Sequence, residues 1–257
     1  MKQFLILILI LILFLIITAG QGLAAELTIL SGAGLIKPME ELVQSFEKKE
    51  GVKTRVHYGS SGEIFAMVAS KRPCDVLIPG AEKYTQDALK NGWVIKDTIR
   101  KLVLHIPVIA VPAGNPAGIQ GLSDLANPGV KVAIGDPKAP AIGRVAKKML
   151  TKASLWDPVQ PNIKTFAPTV NQLLIYVALK QVDAAIIWED LTSWAEGRDK
   201  IEVVQIPKKE NLIKTIPTAV CTNAPNKEMA LKFNTYIASR EGLEIWEKWG
   251  FSSCAEK

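Results

Sequence analysis

LTILSGAGLIKPMEELVQSFEKKEGV, residues 27–52, reads as a strand, a small-residue turn and a helix. The apolar run ending at Leu30 gives way to Ser31-Gly32-Ala33-Gly34, and Pro38 suits the first turn of a helix, where no N–H is needed. Met39, Leu42, Val43 and Phe46 recur at helical spacing, and Gly51 predicts the stop. The alternation Val52, Thr54, Val56, Tyr58 is a second strand, and Gly59 to Gly62 form a turn before a helix running to about Lys71. DVLIPG (75–80) is a short buried strand, followed by a helix ending at Asn91-Gly92.

The extended apolar run LVLHIPVIAVP (102–112) precedes a second series of the same kind. KVAIG (131–135) is a strand, DPKAPAIGR (136–144) turns into a helix, and Thr169 is an N-cap for VNQLLIYVALK. DAAIIW (183–188) and EVVQIP (202–207) are strands. A second extended run, LIKTIPTAVC (212–221), leads to helices over 226–239 and 241–249. Alternating β and α elements predict an α/β protein with mostly parallel sheets. Two series joined by two crossover segments predict two lobes, residues 26–107 plus 214–257 and residues 108–213.

Lys2, the unbroken apolar run Phe4 to Ile17 and small residues through Ala25 describe a signal peptide over residues 1–25, cut after Ala24 or Ala25. This predicts export to the periplasm; left uncut, the same stretch is long enough to anchor the chain in a bilayer. The net charge of +6 is scattered, with no basic stripe interleaved with aromatics, which argues against nucleic acid as a partner. His57 and His105 are isolated and no C-x-x-C occurs, so no metal site is expected. Cys74 reads as a packed thiol, and Cys221 and Cys254 are expected to pair and tie down the tail.

Four turns stand where an α/β sheet binds ligands, between a strand end and a helix start. They are residues 31–38, 59–64, 136–144 and 168–172, two from each predicted lobe. Helix N-termini offer unsatisfied N–H groups and partial positive charge, so they hold anions without a formal cation. Ser60 and Ser61 add hydroxyl donors. Any one such turn has ordinary turn composition; four in matching places point to an anion site. Trp188 reads either as packing at a strand end or as a pocket wall with one indole donor. No nucleophile elbow, phosphate loop or dinucleotide fingerprint is present, so neither catalysis nor a cofactor is expected.

The order and spacing of these segments, with MALKFNTYIASREGLEIWEKWGF near the end, resemble periplasmic molybdate/tungstate-binding proteins over nearly the whole chain after residue 25. The resemblance implies a type II periplasmic binding fold, a monomer that holds a tetrahedral oxyanion between its lobes, and an ABC permease with its ATPase as partner. It places a family serine on Ser61, backbone-amide donors near Ile142 and Gly143, and another on Val170. The family's first serine is Gly34 here, and its tyrosine is Trp188. Those two departures leave other small anions, such as sulfate, phosphate or a phosphonate, as alternatives; an uncut N-terminal segment would instead favour a membrane-anchored anion sensor.

Overall fold

The computed structural model describes residues 26–138 and 141–254; the predicted signal peptide lies outside them. The chain begins with β1 (Leu27–Gly32), a short 3-10 turn (Ala33–Leu35) and α1 (Ile36–Glu50), then β2 (Thr54–Gly59), α2 (Ser61–Ala69), β3 (Val76–Ile78) and α3 (Glu82–Lys90). β4 (Arg100–His105) and β5 (Pro107–Pro112) follow. The second series is β6 (Val132–Gly135), α4 (Ala141–Lys152), α5 (Trp156–Val159), β7 (Ile163–Ala167), α6 (Val170–Ala178), β8 (Ala184–Trp188) and β9 (Ile201–Val204). β10 (Lys214–Val220), α7 (Lys227–Tyr236), α8 (Arg240–Lys248) and β11 (Ser252–Ser253) complete the chain.

The strands form two sheets, ordered β11-β4-β10-β3-β1-β2 and β7-β6-β8-β5-β9. Each sheet with its helices is called a lobe below. β1 pairs in parallel with β2 and β3, and β6 in parallel with β7 and β8. The remaining pairs are antiparallel and involve β10, β11 or β5, so the sheets are mixed and less parallel than the sequence pattern predicts. The physical reason is the crossovers. The run 102–112 is not one segment: it breaks at Ile106 into β4 and β5, one for each sheet, and the chain returns through β10, which runs against both β3 and β4.

Side chains alternate across the first sheet. Leu27, Ile29, Val76 and Ile78 bury into a core with α1, α7 and α8, whereas Leu30 and Leu77 bury on the opposite face with Ile64 and Val68 of α2. The second lobe has one core, built on Val108 to Val111, Val132 to Ile134 and Ala184 to Trp188. Burial on both faces explains why these strands read as continuous apolar runs.

α1 ends as its sequence predicts: Gly51 is left-handed (φ 66°) and its N–H returns to Glu47 O at 2.9 Å. Asp75, fully buried, fixes the other end of the first lobe by accepting from Thr28 N–H at 2.8 Å and from Asn226 N–H at 2.7 Å. Outside, Glu41 of α1 accepts from Lys248 Nζ and from Trp249 Nε1, at 2.7 and 2.9 Å. The Lys248 bond foremost holds the Glu41 carboxyl below its ordinary 4.5; burial opposes it, and the Trp249 bond adds to the lowering. A depressed carboxylate stabilises the fold above its unfolded value and ceases to do so as pH falls through the folded one. Glu41→Gln is therefore expected to lower Tm slightly at pH 7, by less than about 1 kcal/mol of stability because the pair faces solvent, and the difference is expected to shrink as the pH falls below the ordinary carboxylate range. Thermal melts of both proteins across that range test this.

The cysteines depart from expectation. None is in a disulfide, and Cys221 lies beside Cys74 rather than Cys254. β11, just before Cys254, pairs with β4 at Val103, which is opposite Ile216 of β10. Cys221 lies five residues further along, about 16 Å at the rise of a strand, and a disulfide spans at most about 7 Å between Cα atoms.

Candidate anion site at the strand ends

The topology sets where the four turns lie. β3 and β4 both run against β10, so β4 ends at the same edge as β1, β2 and β3. β5 starts with Pro107 opposite Trp188, the last residue of β8, and β8 runs with β6. The chain thus leaves the carboxyl edge of one sheet and one residue later enters at the carboxyl edge of the other. The return is similar: Lys214, the first residue of β10, sits opposite His105. Buried Asn211 ties the two crossovers, its Nδ2 donating to Pro107 O at 2.9 Å and its Oδ1 accepting from Leu212 N–H at 2.8 Å. Both sets of strand-to-helix turns therefore lie on the junction side of their sheets.

In the first lobe, Gly32 pairs with Gly59, which sets the turn bearing Gly34 beside the turn bearing Ser60 and Ser61. Gly34 is exposed, and a Cβ built on it meets nothing within 4 Å. Ser60 is the N-cap of α2: its Oγ accepts from Glu63 N–H at 3.2 Å, and Glu63 Oε2 accepts from Ser60 N–H at 3.3 Å. His57 Nε2 lies 3.1 Å from the same carboxylate. Ser60 thus has its backbone donor engaged and offers its hydroxyl hydrogen, with Glu63 held back against Gly59. Ser61 is half-buried, and its Oγ accepts from Gly80 N–H at 3.1 Å. That bond leaves the Ser61 hydroxyl hydrogen as a donor and fixes its rotamer. Gly80 was not singled out by the sequence reading; its signal was the Pro79-Gly80 turn after a buried strand. Tyr84 was also missed. Its hydroxyl lies 3.7 Å from where a Cβ on Gly62 would stand, next to the same helix start.

In the second lobe, Gly135 pairs with Ala167, and Asp136 N–H donates to Ala167 O at 2.8 Å. The starts of α4 and α6 therefore follow adjacent strand ends. Ile142 and Gly143 are buried in the first turn of α4. A Cβ on Gly143 would lie 2.3 Å from Gly135 O and 2.4 Å from Asp136 O, so this helix start is seated directly on the end of β6. Val170 is the first residue of α6, where Thr169 Oγ1 accepts from Gln172 N–H at 3.3 Å. The first-turn amides of α2, α4 and α6 lack acceptors within their own helices.

Trp188 is only 4% exposed and belongs to the second lobe's core. It stacks on His105 with ring centroids 3.7 Å apart and planes 20° apart, so the packing reading describes its indole face. His105 Nε2 approaches Asp190 Oδ1 to 3.2 Å, off the line of a hydrogen bond, and neither ring nitrogen has a hydrogen-bond partner. Near this junction, Ser193 Oγ donates to Trp249 O at 3.0 Å. Lys37 Nζ lies 3.4 Å from Glu196 and 4.2 Å from the Trp194 ring, joining α1 to the second lobe. Among the described residues no cluster of His, Cys, Asp or Glu has the make-up of a metal site. Exposed Arg144, Lys147, Lys148 and Lys152 line a separate groove of about 610 Å³ along the outer face of α4.

Two mixed α/β sheets joined by paired crossovers, with helix starts at the junction, define a two-lobed architecture of the type II periplasmic binding fold. The chain belongs to the family of bacterial extracellular solute-binding proteins, whose model matches residues 27–252. It is 32% identical over 228 residues to a protein of Haemophilus influenzae described as a putative binding protein, covering 89% of this chain and 91% of that one. It is 24% identical to the molybdate-binding protein ModA of Escherichia coli, covering 91% of this chain and 92% of that one. Among solved structures, the substrate-binding domain of a putative molybdenum ABC transporter from Clostridium difficile superposes with a TM-score of 0.77 at 27% identity, covering 89% and 98% of the two chains.

Proposed function

We propose that this protein is exported to the periplasm by its N-terminal segment, captures molybdate or tungstate between its lobes, and delivers the anion to an ABC permease and its ATPase. The observation that carries the reading is the placement of four small-residue turns at the carboxyl edges of both sheets, on either side of one junction. Donors come from the Ser60 and Ser61 hydroxyls and from first-turn amides around Ile142, Gly143 and Val170. Trp188 packs on His105 at the crossover behind these donors, and no counter-cation or cofactor is needed. An anion that bridges donors from both lobes binds the closed arrangement better than the open one and so shifts the population toward it. A site made of donors alone favours a fully deprotonated dianion, because a protonated one brings a hydrogen with no acceptor to meet it.

Identity among oxyanions follows from size. Molybdate and tungstate are larger than sulfate, so donors spaced for the former fall short of the oxygens of the latter. A thermal-shift panel tests this: at a hundredfold excess over Kd, ligand linkage adds about 2.7 kcal/mol of stability. Molybdate and tungstate are expected to raise Tm more than sulfate or phosphate, and equal shifts with all four would refute the assignment.

The open space at Gly34 favours a second reading, an anion with a substituent, such as an organic phosphonate or phosphate ester, whose extra bulk occupies the place of the family's serine. The two readings separate at one position. Gly34→Ser adds a hydroxyl into free space; it is expected to tighten molybdate binding by up to about tenfold, one hydrogen bond to a charged group. Under the second reading the same change weakens the preferred ligand. Isothermal titration of both proteins distinguishes them.

A further inference from the structure

We propose that Cys74 and Cys221 form a disulfide in the exported protein, which staples β3 to β10 inside the first lobe. Three observations place the two thiols together. Val76 pairs with Val220 in the antiparallel β3–β10 ladder, and at the next rung Cys221 N–H donates to Asp75 O at 2.9 Å. Cys221 thus stands opposite Asp75, one residue from Cys74, and the two thiols lie within hydrogen-bonding reach of each other; one residue off the directly opposed position, the Cα atoms are roughly 6 Å apart, within the span a disulfide needs. Both side chains, each 4% exposed, belong to one apolar cluster with Leu77, Val94 and Ala219. The segment is also held in place, because the Asp75 carboxylate is fixed by Thr28 and Asn226. Cys254 is no competitor, lying beyond β11 on the far side of β4.

The family is extracellular, and such compartments oxidise thiols. The oxidant is a disulfide, either of a protein thiol oxidase or of a small thiol. One cysteine thiolate attacks it, giving a mixed disulfide and releasing one thiol. The second cysteine then attacks the mixed disulfide, forming the Cys74–Cys221 S–S bond and releasing the second thiol. Two electrons and two protons pass from the pair to the oxidant. The hydrogen bond that its S–H makes with Cys221, then burial, pushes the Cys74 thiol well above its ordinary range. The thiolate is therefore disfavoured once the cluster has closed, which puts the exchange during folding after export. The covalent loop encloses the whole second lobe, yet both ends lie in the first, so the link leaves movement between the lobes unrestricted.

The test is intact-mass analysis of protein recovered from the exported fraction without reductant, denatured in the presence of a maleimide. One adduct, on Cys254, is expected, rising to three after reduction, with a Cys74–Cys221 linked peptide in the non-reduced digest. Three adducts without reduction, or a linked peptide containing Cys254, would overturn the proposal. Reduction is expected to lower the Tm of the unaltered protein by about 5–10 °C and to leave a Cys74→Ser, Cys221→Ser double variant unchanged. An unaltered protein insensitive to reductant counts against the staple.

Discussion

Gly143→Ala is expected to lower Tm by roughly 2–12 °C and to weaken anion binding by more than tenfold. The added methyl would lie 2.3 Å from Gly135 O and 2.4 Å from Asp136 O, and both are backbone atoms that cannot rotate aside. The start of α4 must therefore lift from the end of β6. Overpacking of this kind costs about 1–3 kcal/mol, and each kcal/mol is worth about 2–4 °C in a protein of this size. Binding suffers further because the amides around Ile142 and Gly143 are displaced with the helix. Melting curves and titration with tungstate check both parts. An unchanged Tm would show that α4 is not seated on β6, and an unchanged affinity would remove its first turn from the site.

Ser61→Ala is expected to weaken molybdate binding by roughly ten- to a hundredfold, the range for a hydrogen bond to a charged group, about 1.5–3 kcal/mol. The change removes the proposed donor to the anion and also the acceptor for Gly80 N–H, which holds the turn before α3 against α2. Ser60→Ala provides the contrast. Ser60 caps α2 through Glu63 N–H, so its loss is expected to cost about 1 kcal/mol of stability and less affinity than the loss of Ser61. Titration calorimetry on both variants, with melts in the absence of anion, separates capping from binding. Equal affinity losses in the two would contradict the division of labour assigned to these neighbouring serines.

Local signals in the sequence carried the helix ends. Gly51 adopts the left-handed stop and Thr169 caps through its own hydroxyl, because each depends on residues within one turn; Ser60, expected as a hydroxyl donor, also caps its helix. The strand-end turns were legible for the same reason. What the sequence did not carry depends on contacts distant along the chain. The crossover within residues 102–112 was expected from the two alternating series, with a lobe boundary at 107; its break at Ile106 into two strands was not, since either strand alone is simply apolar. The bond from Gly80 to Ser61 joins residues 19 apart. Cys221 meets Cys74 rather than Cys254 because β10 lies between β3 and β4, a matter of sheet order. Trp188 could be read as wall or packing until His105 appeared against its face.

The mechanism rests on helix starts from both lobes meeting at one anion. Crystals of the protein grown with tungstate, measured at a tungsten absorption edge, locate the metal by its anomalous scattering. A single strong peak is expected at the junction, within hydrogen-bonding reach, through its oxygens, of Ser61 Oγ and of the amides around Ile142 and Val170. A peak confined to the basic groove along Arg144, Lys147 and Lys152, or none between the lobes, would contradict it.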